Sequence, residues 1–209
     1  PVVSGNVSFY NQTKDIGIKP TPVIGGVGLI KDYQNMVTMD LKEADNILLV
    51  IGKTEGHLDQ SLFARDILNE KNGPPPEINL FNEKNNGETV LKLMDKKFIK
   101  AAHDVSLGGI ITALSKMCIK GKKGATLKKP NYLINKFEYL FGEDQGRYII
   151  EIDKNNLKEA TKILLENSVH FDELGTVNDE NLIIDDKSKV SIDDLIKSHT
   201  TWLTNYMSK

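Results

Sequence analysis

A chain of 209 residues with 39% apolar and 27% charged side chains has the make-up of an ordinary globular protein, long enough for one sizeable core or for one domain plus part of another. Its 27 basic and 29 acidic residues leave a net charge of -2, which gives no electrostatic reason to expect nucleic acid or an anionic membrane as partner. No apolar run approaches the roughly 18 residues that span a bilayer and no signal-peptide pattern opens the chain, so the expected location is cytoplasmic.

The first residue is Pro1, already inside a patterned segment, and the chain is expected to be a piece of a longer one. Residues Val2 to Tyr10 and Thr21 to Leu29 read as two strands joined by the turn-rich stretch Asn11 to Pro20. Within the first, Ser4-Gly5-Asn6-Val7-Ser8 places an amide oxygen and a hydroxyl two residues apart, on one face of a strand, beside a Gly that admits close backbone approach. Asn6 is thus suited to a hard cation such as Mg²⁺ and Ser8 to a phosphate or sugar oxygen. A turn with polar surface residues is the competing reading, and spacing alone favours it.

A second domain is predicted from Met39 onward. Asn46 to Gly52 carries five consecutive apolar residues and predicts a strand buried on both faces. A helix capped by Asp59 follows, with Leu62, Phe63 and Ile67 on its apolar side, and Asn72-Gly73-Pro74-Pro75-Pro76 ends it. Helical spacing returns at Val90, Leu91, Met94 and Phe98, then a strand from Ile99 to Asp104 runs into Val105-Ser106-Leu107-Gly108-Gly109 and a helix near Ile110. Ser106 is the candidate cap of that helix and Gly121 its candidate C-cap. Two glycines at such a junction let either a phosphate or another backbone approach; a structural joint is the commoner use, and the residues leave both open.

Cys118, the single cysteine, falls on the apolar face formed by Ile111, Leu114 and Met117, where a reduced, buried role is expected. Ala125 to Leu127 predicts a short strand, Phe137 to Leu140 a short helix, Tyr148 to Ile152 a strand, Leu157 to Leu164 an amphipathic helix, His170 to Ile184 a strand-rich stretch and Ile192 to Tyr206 a last helix on the sheet. The fold class is therefore α/β, a mixed sheet with helices. Glu143, Gln145 and Arg147 alternate along the start of one strand and could hold a polar ligand, an interdomain contact or a structural network, with Arg147 paired to Glu143. No P-loop or dinucleotide fingerprint is present. His57, His103, His170 and His199 have no neighbours at zinc-ligand spacing. His103 and Asp104, adjacent on a strand, should point to opposite faces, which disfavours a catalytic dyad.

Taken together, Pro1-Val2-Val3-Ser4-Gly5-Asn6-Val7-Ser8-Phe9-Tyr10-Asn11, Pro20 to Gly28, Gly56-His57-Leu58-Asp59-Gln60-Ser61, Ala101 to Ser106 and Gly142-Glu143-Asp144-Gln145-Gly146-Arg147 resemble the C-terminal part of the phosphoribosylformylglycinamidine synthase family, in order and over nearly the whole chain. The resemblance implies residues 1–38 as the last strands of a second ATP-binding-type domain and 39–209 as a second C-terminal α/β domain of the aminoimidazole ribonucleotide synthetase type. It implies a C–N ligase of purine biosynthesis that phosphorylates the amide oxygen of formylglycinamide ribonucleotide with ATP and Mg²⁺ and lets glutamine-derived ammonia displace the phosphate.

Carried over by position, Gly5 would contact ATP, Asn6 would ligate Mg²⁺ and Ser8 would bind substrate. The catalytic His, the other Mg²⁺ carboxylates and the ATP-binding Lys belong to the first half of the family's chain, so no catalytic residue is expected here and the piece alone should be inactive. A glutaminase subunit, a small accessory subunit and the missing N-terminal half are the implied partners. Two departures are visible: Leu107 stands where the family has Asp, and Asp144 where it often has Ser. A non-catalytic nucleotide-binding or assembly module, or another member of the same superfamily, is the alternative; Ser4 to Ser8 argues against the latter.

Overall fold

The computed structural model describes residues 1–7, 10–19, 21–30 and 32–208. The chain divides into two compact units, Pro1–Lys31 and Asp32–Lys209.

In the first unit the described residues form one small antiparallel pair, β1 (Gln12–Thr13) and β2 (Ile16–Gly17). The strands expected at Val2 to Tyr10 and Thr21 to Leu29 are not formed among the described residues. Their apolar side chains, Val2, Val3, Val7, Val23, Ile24 and Val27, are exposed. An extended segment gains its stability from a ladder and a covered face, and these residues have neither among the described residues.

The second unit is an α/β domain built on a seven-stranded sheet. Its elements are β3 (Ile47–Ile51), α1 (Leu80–Asp95), β4 (Ile99–Val105), α2 (Gly109–Gly121), β5 (Gly124–Leu127), α3 (Lys136–Phe141), β6 (Arg147–Ile152), α4 (Leu157–Glu166), β7 (Phe171–Asn178), β8 (Asn181–Asp185), β9 (Ser188–Ser191) and α5 (Ile192–Met207). The strand order is β4-β6-β3-β7-β5-β8-β9. Neighbours are antiparallel except β5 and β8, which run parallel, so the sheet is mixed.

The five apolar residues of β3 are all buried because both faces of the sheet are covered. Leu48 and Val50 pack with Ile110, Leu114, Met117 and Leu140 on the side of α2 and α3. Ile47, Leu49 and Ile51 pack with Val90, Leu93, Ala160 and Leu164 of α1 and α4 on the other. At roughly 1.5–3 kcal/mol for each fully buried aliphatic side chain, these two layers supply the main stabilisation of the domain.

Local rules explain most element ends, and some differ from the expectation. Asp59 caps nothing: a short helical turn follows instead, with Ser61 Oγ accepting from the Ala64 amide at 3.1 Å. Asn69, left-handed at φ 57°, closes that turn. Helix α1 starts ten residues ahead of Val90 because Asn79 caps it through the Asn82 amide at 3.0 Å. Its first turn carries no buried apolar residue, so periodicity could not show it. Lys122, not Gly121, takes the left-handed cap of α2. Gly121 is required for packing, since a Cβ there would stand 2.6 Å from the Leu41 amide nitrogen. Helix α5 packs only its first turns: Leu195 and Ile196 reach the core, whereas Trp202, Leu203, Tyr206 and Met207 are exposed.

Candidate functional site

Strand β4 delivers the chain into Ser106-Leu107-Gly108-Gly109, and the structure settles how that turn is used. Gly108 is the residue before α2, left-handed at φ 82°, and Ser106 contributes no side-chain cap. Instead its carbonyl accepts from the Gly109 amide at 3.0 Å. The Gly108 amide donates to Oε1 of Glu143 at 2.8 Å. At Gly109, φ 69°, a Cβ would lie 2.7 Å from the carbonyl oxygens of Leu140 and Gly142. The close approach that the glycines permit is therefore to another backbone, and Leu107, 62% exposed, adds no polar group.

The partner of this turn is the loop before β6. Residues 143, 145 and 147 do not share a face, because β6 begins only at Arg147 and Gly146 bends the chain at φ 64°. Strand alternation does not hold across such a bend. Oε1 of Glu143 also accepts from the Leu62 amide at 2.8 Å, and its own amide donates to the His57 carbonyl at 2.8 Å. Asp144 accepts from three consecutive amides, Oδ2 from Glu55 at 3.1 Å and Gly56 at 3.0 Å, Oδ1 from His57 at 3.0 Å. Gln145 is exposed and donates to the Glu143 carbonyl at 3.3 Å.

Arg147 pairs with Asp144, not with Glu143: Nη1 lies 3.5 Å from Oδ2, and its side chain is fully buried. The guanidinium donates to the Asp144 carbonyl at 3.1 Å, to Thr54 Oγ1 at 3.1 Å and to the Gly142 carbonyl at 2.6 Å. Burial pulls its pKa below the usual arginine value, while the Asp144 carboxylate opposes that shift. Burial likewise raises the phenols of Tyr139 and Tyr132 nearby, with Asp172 adding to the effect.

Beside this network lies a polar cleft of about 1220 Å³ whose lining includes Gly56, His57, Asn79, Glu83, Gln145 and His170. Asp144, Thr54 and the fully buried Glu151, which accepts from the amides of Lys42 and Glu43 and from Asn46 Nδ2 at 2.8, 3.1 and 2.6 Å, were beyond reach of sequence reasoning. The three amides held by Asp144, the arginine that Thr54 meets and the partners of Glu151 are 87 to 109 residues away and leave no local spacing, although Arg147, the ion-pair partner of Asp144, is only three residues on.

Among the residues expected to carry chemistry, Gly5 and Asn6 lie in the first unit and are exposed. Around Gly5 nothing stands within 4 Å of a Cβ position. Ser8 lies outside the described residues. His103 and Asp104 are not split across the strand as expected: Nδ1 of His103 meets Oδ1 of Asp104 at 3.0 Å. Strand β4 is an edge, so the exposed Asp104 side chain can fold back along it. Among the described residues no group of three or more His, Cys, Asp or Glu is placed to hold a metal ion. No helix of the described residues is long and apolar enough to cross a membrane.

A seven-stranded mixed sheet covered by helices on both faces, with a glycine turn after β4 clamped by an acidic loop, makes this an α/β domain of the mixed-sheet class. The chain belongs to the family described as AIR synthase related protein, C-terminal domain, which it matches over residues 43–187. It is 91% identical over 207 residues to the phosphoribosylformylglycinamidine synthase subunit PurL of Pelagibacter ubique, covering 99% of this chain and 28% of that protein. The PurL subunit of Bartonella bacilliformis is 42% identical over 207 residues, with the same coverage of 99% and 28%. The chain thus spans little more than a quarter of the curated relatives it matches.

Among solved structures, PurL of Thermotoga maritima complexed with FGAR gives a TM-score of 0.64 at 18% identity, covering 78% of this chain and 30% of that one. The PurLQS structure from the same organism gives 0.61 at 16% identity, covering 78% and 28%. These likenesses establish the fold.

Proposed function

We propose that the chain is the C-terminal part of an ATP-dependent C–N ligase that converts formylglycinamide ribonucleotide to its amidine with glutamine-derived ammonia, in the cytoplasm. The observation that carries this reading is the 91% identity to a PurL subunit across 99% of the chain. Residues 1–38 are read as the end of a second ATP-binding-type domain and 39–209 as the C-terminal domain that follows it. The rest of the ligase chain, a glutaminase subunit and a small accessory subunit are the proposed partners.

In this reading ATP makes the amide oxygen a leaving group, and the contribution of this chain is binding. Gly5 leaves its backbone open to close approach. The amide oxygen of Asn6 is a hard donor that fits Mg²⁺ as one ligand among several supplied from elsewhere. Ser8 is assigned a substrate oxygen. None of the four His residues is assigned a proton-transfer role, and the chain alone is expected to release no ADP in the presence of ammonia.

The test replaces the matching segment of the Pelagibacter ubique relative with this chain and asks whether the hybrid supports growth of a purine-requiring strain without purines. Failure of a well-folded hybrid would sink the reading. Asn6→Ala in the active hybrid should raise the Mg²⁺ requirement more than the substrate KM. The exposed apolar side chains of residues 1–31 favour a second reading, a nucleotide-binding or assembly module. Calorimetry separates them: ADP binding by this chain that is unchanged by Asn6→Ala places the nucleotide elsewhere and favours the module.

A further inference from the structure

Three successive amides converging on one anion make a backbone nest, the geometry with which loops hold phosphates. The Glu55, Gly56 and His57 amides form such a nest, at 3.0 to 3.1 Å from the two carboxylate oxygens of Asp144. The geometry is fixed: Gly56 sits at φ 84°, and a Cβ there would stand 2.6 Å from Glu138 Cβ. A fully buried guanidinium, Arg147, backs the anion at 3.5 Å. Asp144 and all three amide residues line the cleft of about 1220 Å³. Glu151 uses comparable chemistry on Lys42 and Glu43, but it is fully buried and does not line this cleft.

We propose that the Glu55–His57 nest is an oxyanion-binding site of the cleft whose resident occupant is the carboxylate of Asp144. While that side chain is in place the nest is closed to phosphoryl groups. A tethered carboxylate competes at an effective concentration on the order of millimolar or more, and Glu55, Asp59, Glu77, Glu83 and Glu138 along the cleft, where Lys53 is itself paired with Glu55, repel a free dianion. Removing the carboxylate leaves three inward amides and one buried cation without their anion. Each orphaned group is costly, and a small oxyanion entering from the cleft satisfies all of them.

The experiment uses the 209-residue chain, unsubstituted and as Asp144→Ala and Asp144→Asn, titrated with inorganic phosphate against sodium chloride of equal ionic strength. Amide NMR shifts and Tm are the readouts. In Asp144→Ala, phosphate should move the Glu55, Gly56 and His57 amides saturably and recover part of the lost Tm, while the same amides of the unsubstituted chain show no saturable response over the same phosphate range. Asp144→Asn retains one acceptor oxygen and should fold, with weaker phosphate binding at the same amides. Saturable phosphate shifts at these amides in the unsubstituted chain would overturn the closure. Absence of a phosphate-specific effect in both variants would overturn the site, and so would an unfolded Asp144→Ala that phosphate cannot refold while Asp144→Asn binds none.

Discussion

One oxygen of Glu143 accepts from the amide of Gly108 at 2.8 Å and so ties the β6 loop to the start of α2. The same oxygen accepts from the Leu62 amide at 2.8 Å. A turn that resembles a ligand cradle in sequence is thus a joint held by a carboxylate from 35 residues further along the chain. Gly109 completes the joint by letting the Leu140 and Gly142 carbonyls approach.

Glu143→Ala should leave both amides without an acceptor and destabilise the domain by about 2–4 kcal/mol, the lower part of the about 1–3 kcal/mol expected for each orphaned donor because both bonds are only part-buried. Glu143→Gln keeps an oxygen in the accepting position and should cost well under half of that. Urea unfolding of the two variants checks this; equal losses would mean that the charge, not the acceptor, matters.

The sheet was legible where the chain obeys a single local rule. Asn46 to Gly52 and Ile99 to Asp104 are apolar or alternating runs ended by turn residues, and both became strands whose ends lie within one residue of those expected. Leu157 to Leu164 kept its helical spacing. The strands read at Val2 and Val23 failed because a strand is completed by its neighbours, and the described residues of the first unit offer them none. Asp144, Arg147 and Glu151 were misread or missed for another reason: their roles are defined by partners reached through the fold, such as Thr54, which is 93 residues from Arg147. Gly5 and Asn6 were singled out by a short motif whose spacing alone favours a polar turn, and their roles came from the family resemblance; the structure leaves both exposed in the first unit.

Acid should weaken the loop before β3. The Lys42 ammonium and the Thr38 hydroxyl hold Asp40 at a pKa of about 2, below its ordinary 3.8. A folded-state pKa below the unfolded one means the contribution is complete above about pH 4 and is lost as the pH falls through about 2. The pair is partly solvated, so the effect is small. Unfolding free energy measured from pH 5 to pH 2 should fall less steeply in Asp40→Asn than in the unsubstituted chain; parallel curves would remove Asp40 from the account.

Cys118 should be silent to thiol reagents while the domain is folded. It is fully buried on α2, and desolvation pushes its thiol up to about 12. At pH 8 the thiolate that would react is nearly absent, and the reagent cannot reach it. Labelling with a chromogenic disulfide should therefore follow unfolding, rising with urea in step with the loss of circular dichroism. Fast labelling in native buffer would show that α2 opens locally.

Arginine rather than lysine should be required at position 147. The guanidinium sends separate nitrogens to the Asp144 carbonyl, Thr54 Oγ1 and the Gly142 carbonyl while its Nη1 faces the Asp144 carboxylate. A lysine offers one compact ammonium and cannot reach all of these from one position. Arg147→Met leaves the three acceptors and the buried carboxylate without the cation. Asp144 keeps its three amide donors, which places the loss near the lower end of the about 3–5 kcal/mol typical of a broken buried pair. Arg147→Lys should lose about 1–3 kcal/mol, because charge is retained and geometry is not. Combining Arg147→Met with Asp144→Asn should cost less than the two single losses added together, since each single variant strands the charge of the other. Strict additivity in that cycle would mean that Arg147 serves the three oxygen acceptors alone and that the ion pair at 3.5 Å contributes nothing.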